Sequence, residues 1–272
     1  MSEQRPMALA VFMYAMSAML VLLAVGPAIW LVLIALQPPG TDMMSVTGKP
    51  TLQNFQGAWE QGKLGWPLIN SVLVTFGRAA LNVVIAALAA YPLAKMTFKA
   101  RETALLLILA TMMIPEQVIV VPMFTTIVGM GLYDTLLAVL IPFSVSAFGI
   151  FLCRQAFMAI PESLEEAARI DGATSLQIWW RIMLPLAAPT LATLALFSVI
   201  GAWSELFWPL VVLQSKNNFT LPVAVNELIG QFATNPRNYY AAAVLALIPI
   251  MVGFVLMQRW LRPGMFAGAV KG

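Results

Sequence analysis

The sequence predicts an all-α integral membrane protein with six transmembrane helices. Three observations carry that reading. Of 272 residues, 61% are hydrophobic and 10% are charged, against about 45–50% and about 25% in soluble domains. The mean hydropathy of +0.86 is more apolar surface than a soluble fold of this size can hide. Charged residues cluster in short segments between long apolar runs. Without water, spanning backbone closes its hydrogen bonds as helices or as a closed barrel, and runs this long are helical.

The runs follow in order. No residue from Met7 to Thr41 is charged, and about 20 apolar residues suffice to cross about 30 Å of hydrocarbon. Residues 8–36 therefore form the first span. The run is too long for the apolar core of a secretory signal and no cleavage pattern closes it, so retention is expected. Gln37–Trp66, with Asp42, Lys49, Glu60 and Lys63, reads as a wet loop. The second span is 67–94, interrupted by Arg78, and a basic turn follows with Lys95, Lys99 and Arg101. The third is 103–128, with Pro115-Glu116 inside it, and the fourth is 136–152. A polar segment, 154–185, precedes the fifth span at 186–213. The wet stretch Gln214–Asn238 leads to the sixth at 239–257, and Arg259, Arg262 and Lys271 close the chain. The whole, 1–272, is expected to be a single membrane domain.

An even number of spans puts both termini on one side. With the N-terminus inside, ten Lys and Arg fall inside and four outside (Lys49, Lys63, Lys216 and Arg237). The positive-inside rule then places both termini in the cytoplasm. The net charge of +3 adds little, since position rather than sum carries the information, and no nucleic-acid partner is expected.

The absence of histidine removes His-based triads and His-ligated metal, and the single Cys153 allows neither a disulfide nor a Cys cluster. No catalytic or metal-ligating residue is therefore expected. Gly57–Leu64 nearly spells a phosphate-cradling loop, but Leu64 stands where a Mg²⁺-binding Ser or Thr is required and no strand precedes it. The chain is expected to bind no nucleotide itself.

Segment 154–185 has helical grammar. Pro161 suits the start of a helix, and Glu162, Glu165 and Glu166 complement its dipole. Gly172 suits its end. Thr174 with Gln177 predicts a capping box for a second helix, whose Leu176, Trp179, Trp180 and Met183 fall on one face. Ala167, Ala168 and Ala173 give the first helix a small surface rimmed by acids. That surface fits a socket on another protein, or it is a solvated connector.

Glu166-Ala167-Ala168, three residues, Gly172, nine residues and Ile182-Met183-Leu184-Pro185 resemble the EAA signature of ABC-importer permeases. The chain is further similar to the maltose-type (MalG-like) branch of binding-protein-dependent carbohydrate-uptake permeases. Leu52-Gln53-Asn54-Phe55, Asn70-Ser71, Ile114-Pro115-Glu116-Gln117 and Gly131-Leu132-Tyr133-Asp134-Thr135 carry that likeness. So do Trp203-Ser204-Glu205-Leu206-Phe207-Trp208-Pro209 and Gly268-Ala269-Val270-Lys271-Gly272, although Ser204 stands where the family more often has Asn.

The resemblance implies the ABC type I importer permease fold, in which the EAA helix is a cytoplasmic coupling helix docked in a groove of an ATPase. It gives ATPase coupling to Glu165, Glu166, Ala167, Ala168, Asp171, Gly172 and Ala173, with Glu166 meeting a basic residue of the ATPase. It gives Gly268, Val270, Lys271 and Gly272 to a C-terminal ATPase contact, where the residues alone suggest a frayed end. It gives Asn226, Glu227 and Gln231 to an outer loop that meets the solute-binding protein. It implies a second homologous permease in a heterodimer, two cytoplasmic ATPase subunits that hold ATP and Mg²⁺, an extracytoplasmic solute-binding protein, membrane lipid, and a prokaryotic inner-membrane location. The solute class it implies is a sugar, an oligosaccharide, a polyol or a glycerol phosphate ester.

Arg78, Glu116, Trp203 and Glu205 are candidates for pathway or gating roles. Charges inside a bilayer cost a few kcal/mol and usually face a cavity or one another, so Arg78 with Glu116 as an internal pair stays open beside a polar path. Pro115, Pro122, Pro142, Pro209 and Pro249 are candidate kinks. An ion-gradient-driven secondary transporter is the rival reading, and it should show inverted repeats with broken helices; no repeat is evident. An intramembrane enzyme lacks the side chains it would need.

Overall fold

The computed structural model describes residues 7–40, 46, 48–231 and 235–265, with side chains described in 11–40, 46, 48–230 and 235–256. It is helical, with no strand among the described residues. In chain order the helices are α1 (Met7–Ala35), α2 (Gln53–Gln61), α3 (Gly65–Lys95), α4 (Arg101–Thr111), α5 (Val120–Gly129), α6 (Leu136–Leu140) and α7 (Ala147–Met158). They continue with α8 (Glu162–Ile170), α9 (Ser175–Ile178), α10 (Leu184–Leu186), α11 (Ala188–Ser204), α12 (Phe207–Val212), α13 (Leu221–Gln231) and α14 (Pro236–Met265).

Three helices among the described residues are long and apolar enough to cross a membrane: α1, α3 and the 236–256 part of α14. The segment 175–186 together with α11 passes the same test, but the two are bent by 77°. Of the six spans expected, 103–128, 136–152 and 186–213 are not single continuous helices. The run 103–128 breaks between α4 and α5, where Pro115 is extended at φ −61°, ψ 133°. The run 136–152 breaks between α6 and α7, at Pro142 and at Ser146, which is extended at ψ 138°. The run 186–213 breaks at Glu205, extended at ψ 119°. A proline has no N–H to continue the ladder and restricts the residue before it, which explains the first two breaks. Pro122 lies in the first turn of α5, where the missing N–H is tolerated.

The chain divides into two units, 1–64 with 225–248, and 65–224 with 249–272. In the first, the carbonyls that end α1 lack intrahelical partners and take side chains instead. The fully buried Asn54 donates to Ala35 O (2.8 Å) and Gln37 O (2.6 Å). Arg237 donates to Ile34 O at 3.2 Å and is 1% exposed, a cation where the helix dipole favours one. The expectation that Arg237 sits in a wet loop is corrected: it is buried in this contact. Gln214–Asn238 is not a loop throughout either, because α13 fills much of it and buries Leu221, Val223 and Leu228.

In the second unit α3 packs against α7 and α11. Small residues permit the close approach: a Cβ on Gly149 of α7 would stand 3.2 Å from Ala86 Cβ of α3. The N-terminal end of α3 holds the segment after α12. Asn70 Nδ2 donates to Asn217 O (2.7 Å) and Phe219 O (3.0 Å), and Ser71 Oγ accepts from Leu221 N–H (2.7 Å). The C-terminal end of α3 holds the start of the polar segment. Arg154 Nε donates to Leu93 O (3.0 Å), and Lys95 Nζ to Ile160 O (2.8 Å).

Candidate functional site

Two features of the second unit carry chemistry. The first is a cavity of about 730 Å³, walled by α3, α11 and the two helix breaks at Thr111–Ile119 and Pro142–Phe148. Both breaks line this cavity. Arg78 and Glu116 line this cavity. Among the described residues, Arg78 and Glu116 form no ion pair within 4.0 Å. The internal pair left open by the sequence is not formed. Arg78 stacks over the Phe143 ring, 4.8 Å from its centroid, while Nε and Nη1 are buried without an acceptor.

Glu205 does not line the cavity. Its carboxylate accepts from Trp208 N–H (3.2 Å) and so starts α12. Trp208 is buried and donates through Nε1 to Ala138 O (2.9 Å). Trp203 is buried in α11. Sequence reasoning missed Asn82. Its Nδ2 donates to Ser198 Oγ (2.8 Å), and its Oδ1 accepts from Ser146 N–H (3.0 Å) and Ser146 Oγ (3.1 Å). One amide thus ties α3 to α11 and to the start of α7. Its signal in the sequence was a lone Asn in an apolar run, which is costly unless bonded.

The second feature is segment 154–185. α8 begins after Pro161 and ends at Gly172, which has φ +78°. Glu165 is 6% exposed, accepting from Tyr91 Oη (3.2 Å) and Arg169 Nη2 (2.8 Å). Donating to the Glu165 carboxylate, and sitting beside its negative charge, raises the pKa of the exposed Arg169 guanidinium. Ala168 is buried with Glu165 on this inward face, and Ala173 packs against the same core. Glu166, Ala167 and Asp171 are exposed, and Ile170 is 87% exposed at the tip. The candidates in this segment thus divide between an inward and an outward face.

The capping box forms as expected: Thr174 N–H donates to Gln177 Oε1 (2.8 Å) and Gln177 N–H to Thr174 Oγ1 (3.3 Å). The single apolar face expected after it is corrected. Trp179 and Met183 are buried, while Leu176 and Trp180 are exposed. A π-helical turn over Trp179–Met183 shifts the phase ahead of Pro185. Trp179 Nε1 donates to Ala87 O of α3 (3.2 Å). Segment 154–185 is thereby fastened to α3 at three points: Lys95 at Ile160, Tyr91 at Glu165 of α8, and Ala87 at Trp179.

Among the remaining candidates, Asn226 and Glu227 lie half-buried on α13. The side chain of Gln231, and Gly268, Val270, Lys271 and Gly272, lie outside the described residues. No metal-binding cluster occurs among the described residues.

Apolar helices, several of them broken around a cavity that Arg78 and Glu116 line, with an exposed short helix fastened to α3, are the build of a helical membrane protein. A family model described as the binding-protein-dependent transport system inner membrane component matches residues 82–267, and the chain belongs to that family of ABC-transporter permeases. It is 33% identical to the arabinooligosaccharides transport system permease protein AraQ of Halalkalibacterium halodurans over 262 residues, 94% of each chain. It is 32% identical to the sn-glycerol-3-phosphate transport system permease protein UgpE of Yersinia pestis over 231 residues, 82% of each. Its fold matches a chain of a bacterial ABC transporter involved in the import of the acidic polysaccharide alginate, with a TM-score of 0.82 at 24% identity, covering 95% of this chain and 98% of that one.

Proposed function

We propose that this chain is the permease subunit of an ATP-driven importer of a sugar or sugar-like solute, and that residues 154–185 are its cytoplasmic coupling segment. The observation that carries the reading is the two-faced α8. Its inner face is fixed to α3 by Glu165 and its core by Ala168, while Glu166, Ala167 and Ile170 face outward. A lever needs a rigid attachment at one end and a free contact surface at the other. AraQ and UgpE supply the solute class: oligosaccharides and glycerol phosphate are what their systems carry by name.

In this reading the chain crosses the inner membrane six times, with both termini in the cytoplasm and some crossings made of broken helices. It works as a heterodimer with a second permease, and two ATPase subunits hold the ATP and Mg²⁺. Glu166 pairs with a basic ATPase residue, Asp171 rims the same contact, and Gly268, Val270, Lys271 and Gly272 add to it. A solute-binding protein meets Asn226, Glu227 and Gln231 on the outer side. The test is reconstitution in liposomes with and without the partner subunits. Concentrative uptake should require the ATPase and internal ATP, and uptake by the chain alone on an ion gradient would overturn the proposal.

A further inference from the structure

We infer that the turn between α3 and α4 is a binding site for the phosphate of an anionic phospholipid, with Lys99 and Arg101 as its cations. The inference rests on α3 crossing the bilayer and not on which solute the importer carries.

Residues 96–100 join the two helices. α3 runs 31 residues to Lys95, about 46 Å at 1.5 Å per residue, so it outruns the hydrocarbon of about 30 Å and its end reaches the headgroup layer. α4 then runs back along α3, because its Ala104 and Ile108 pack against the core that holds Ala86, Ala87 and Ala90. So short a link between two apolar helices keeps the turn at the membrane surface.

A cavity of about 440 Å³ opens there, lined by Thr97, Phe98, Lys99, Arg101 and Glu102. Lys99 is exposed and has no ion pair within 4.0 Å among the described residues. Glu102 is the acid of this cavity, and two cations already meet it, Arg101 at 3.0 Å and Arg154 at 3.8 Å. Positive charge is therefore in excess. The neighbouring Lys95 and Arg154 donate to Ile160 O and Leu93 O, which leaves Lys99 and Arg101 to face outward. Phe98 adds a ring that is 44% exposed, and Leu106 and Leu107 of α4 are 68% and 65% exposed.

A lipid phosphate suits each of these features. It forms charge-assisted hydrogen bonds with Arg and Lys, and anionic headgroups attract basic segments at the membrane surface. Its acyl chains can lie along Leu106 and Leu107. A soluble anion would meet the two cations but leave the apolar surface bare.

The test uses the full chain in detergent, with bound lipid read by native mass spectrometry. The probes are dioleoylphosphatidylglycerol and dioleoylphosphatidylcholine in equal amounts. One phosphatidylglycerol should saturate first, in preference to phosphatidylcholine. Lys99→Gln, which breaks no ion pair, should weaken its retention about fivefold, and Lys99→Gln with Arg101→Gln about thirtyfold, the scale of one and two cations at a membrane surface. Phosphatidylcholine retention should not change. Arg181→Gln, which removes an exposed cation outside the cavity, should leave both lipids unaffected. Equal retention of the two lipids, unchanged retention in Lys99→Gln, or an equal loss in Arg181→Gln would each overturn the inference. Displacement by inorganic phosphate beyond that by chloride at equal ionic strength would assign the cavity to a free anion and overturn it too. So would loss of ATPase co-purification in the double variant with lipid retention intact, which would make the turn a protein contact. ATP-driven uptake by the reconstituted complex is a separate readout, so failure here leaves the importer reading standing.

Discussion

Glu165 and Glu166 are adjacent acids with opposite orientations. Glu165 is buried and accepts from Tyr91 and Arg169, while Glu166 is exposed. Their variants should separate accordingly. Glu165→Leu strands the Tyr91 hydroxyl and should lower stability by about 1–3 kcal/mol, measured as thermal unfolding of the full chain in detergent. Glu166→Lys should leave that midpoint unchanged while reducing recovery of the ATPase on co-purification. Gly172 tests the lever differently. A Cβ there meets nothing within 4 Å, yet φ is +78°, so the constraint is backbone conformation and not crowding. Val should cost about 1–2 kcal/mol and impair uptake, while Asn, which tolerates the left-handed region, should retain it. If Asn and Val fail equally, the conformational account of Gly172 is wrong. The helix after Pro161 and its end at Gly172 were legible because that grammar is local. It could not tell Glu165 from Glu166, since the difference is made by Tyr91, 74 positions away.

At the scale of elements, the capping box was legible because both partners lie within one turn. The helix breaks were half legible: Pro115 and Pro142 were visible, but hydropathy sums transfer free energies and ignores the backbone ladder that proline interrupts. Asn82 and Arg237 were not legible, because their partners Ser198 and Ile34 lie 116 and 203 positions away.

The turn between α5 and α6 joins a local pattern to a distant partner. Asp134 has φ 57°, a conformation Asp tolerates, and its carboxylate accepts from the N–H groups of Gln214 and Ser215, both at 2.9 Å. Slight burial pushes its pKa up, but the Ser215 hydroxyl, those two N–H groups and Asn218 outweigh it and hold it at about 2 against the ordinary 3.8. A depressed folded pKa contributes stability that is fully present above 3.8 and is lost as pH falls toward 2. Unfolding midpoints of the wild type should fall through that window, and those of Asp134→Asn should fall less steeply. Parallel curves for the two proteins would show that Asp134 does not carry the effect.

For the whole molecule, composition pointed to the membrane, while the orientation rests on charge counting alone. The second unit gives an independent geometric constraint. Near the start of α3, Asn70 holds Asn217 and Phe219, and at its end Leu93 and Lys95 hold Arg154 and Ile160. From Asn70 to Lys95 the helix rises roughly 38 Å at 1.5 Å per residue, more than the hydrocarbon thickness of about 30 Å. Residues 154–160 and 217–219 therefore lie toward opposite ends of α3, and if α3 crosses the bilayer only the sign is left to the positive-inside rule. The single native cysteine, Cys153, is buried, so the unmodified chain is a silent background for thiol labelling. Gln177 and Asn217 are both exposed, and a cysteine at each reports one end of α3. With a membrane-impermeant maleimide on spheroplasts, Asn217→Cys should react at once and Gln177→Cys only after permeabilisation. The reverse pattern would invert the orientation and move α8 away from any cytoplasmic ATPase. Labelling of both from the outside would mean that α3 does not cross the bilayer, and the coupling proposal would fall with it.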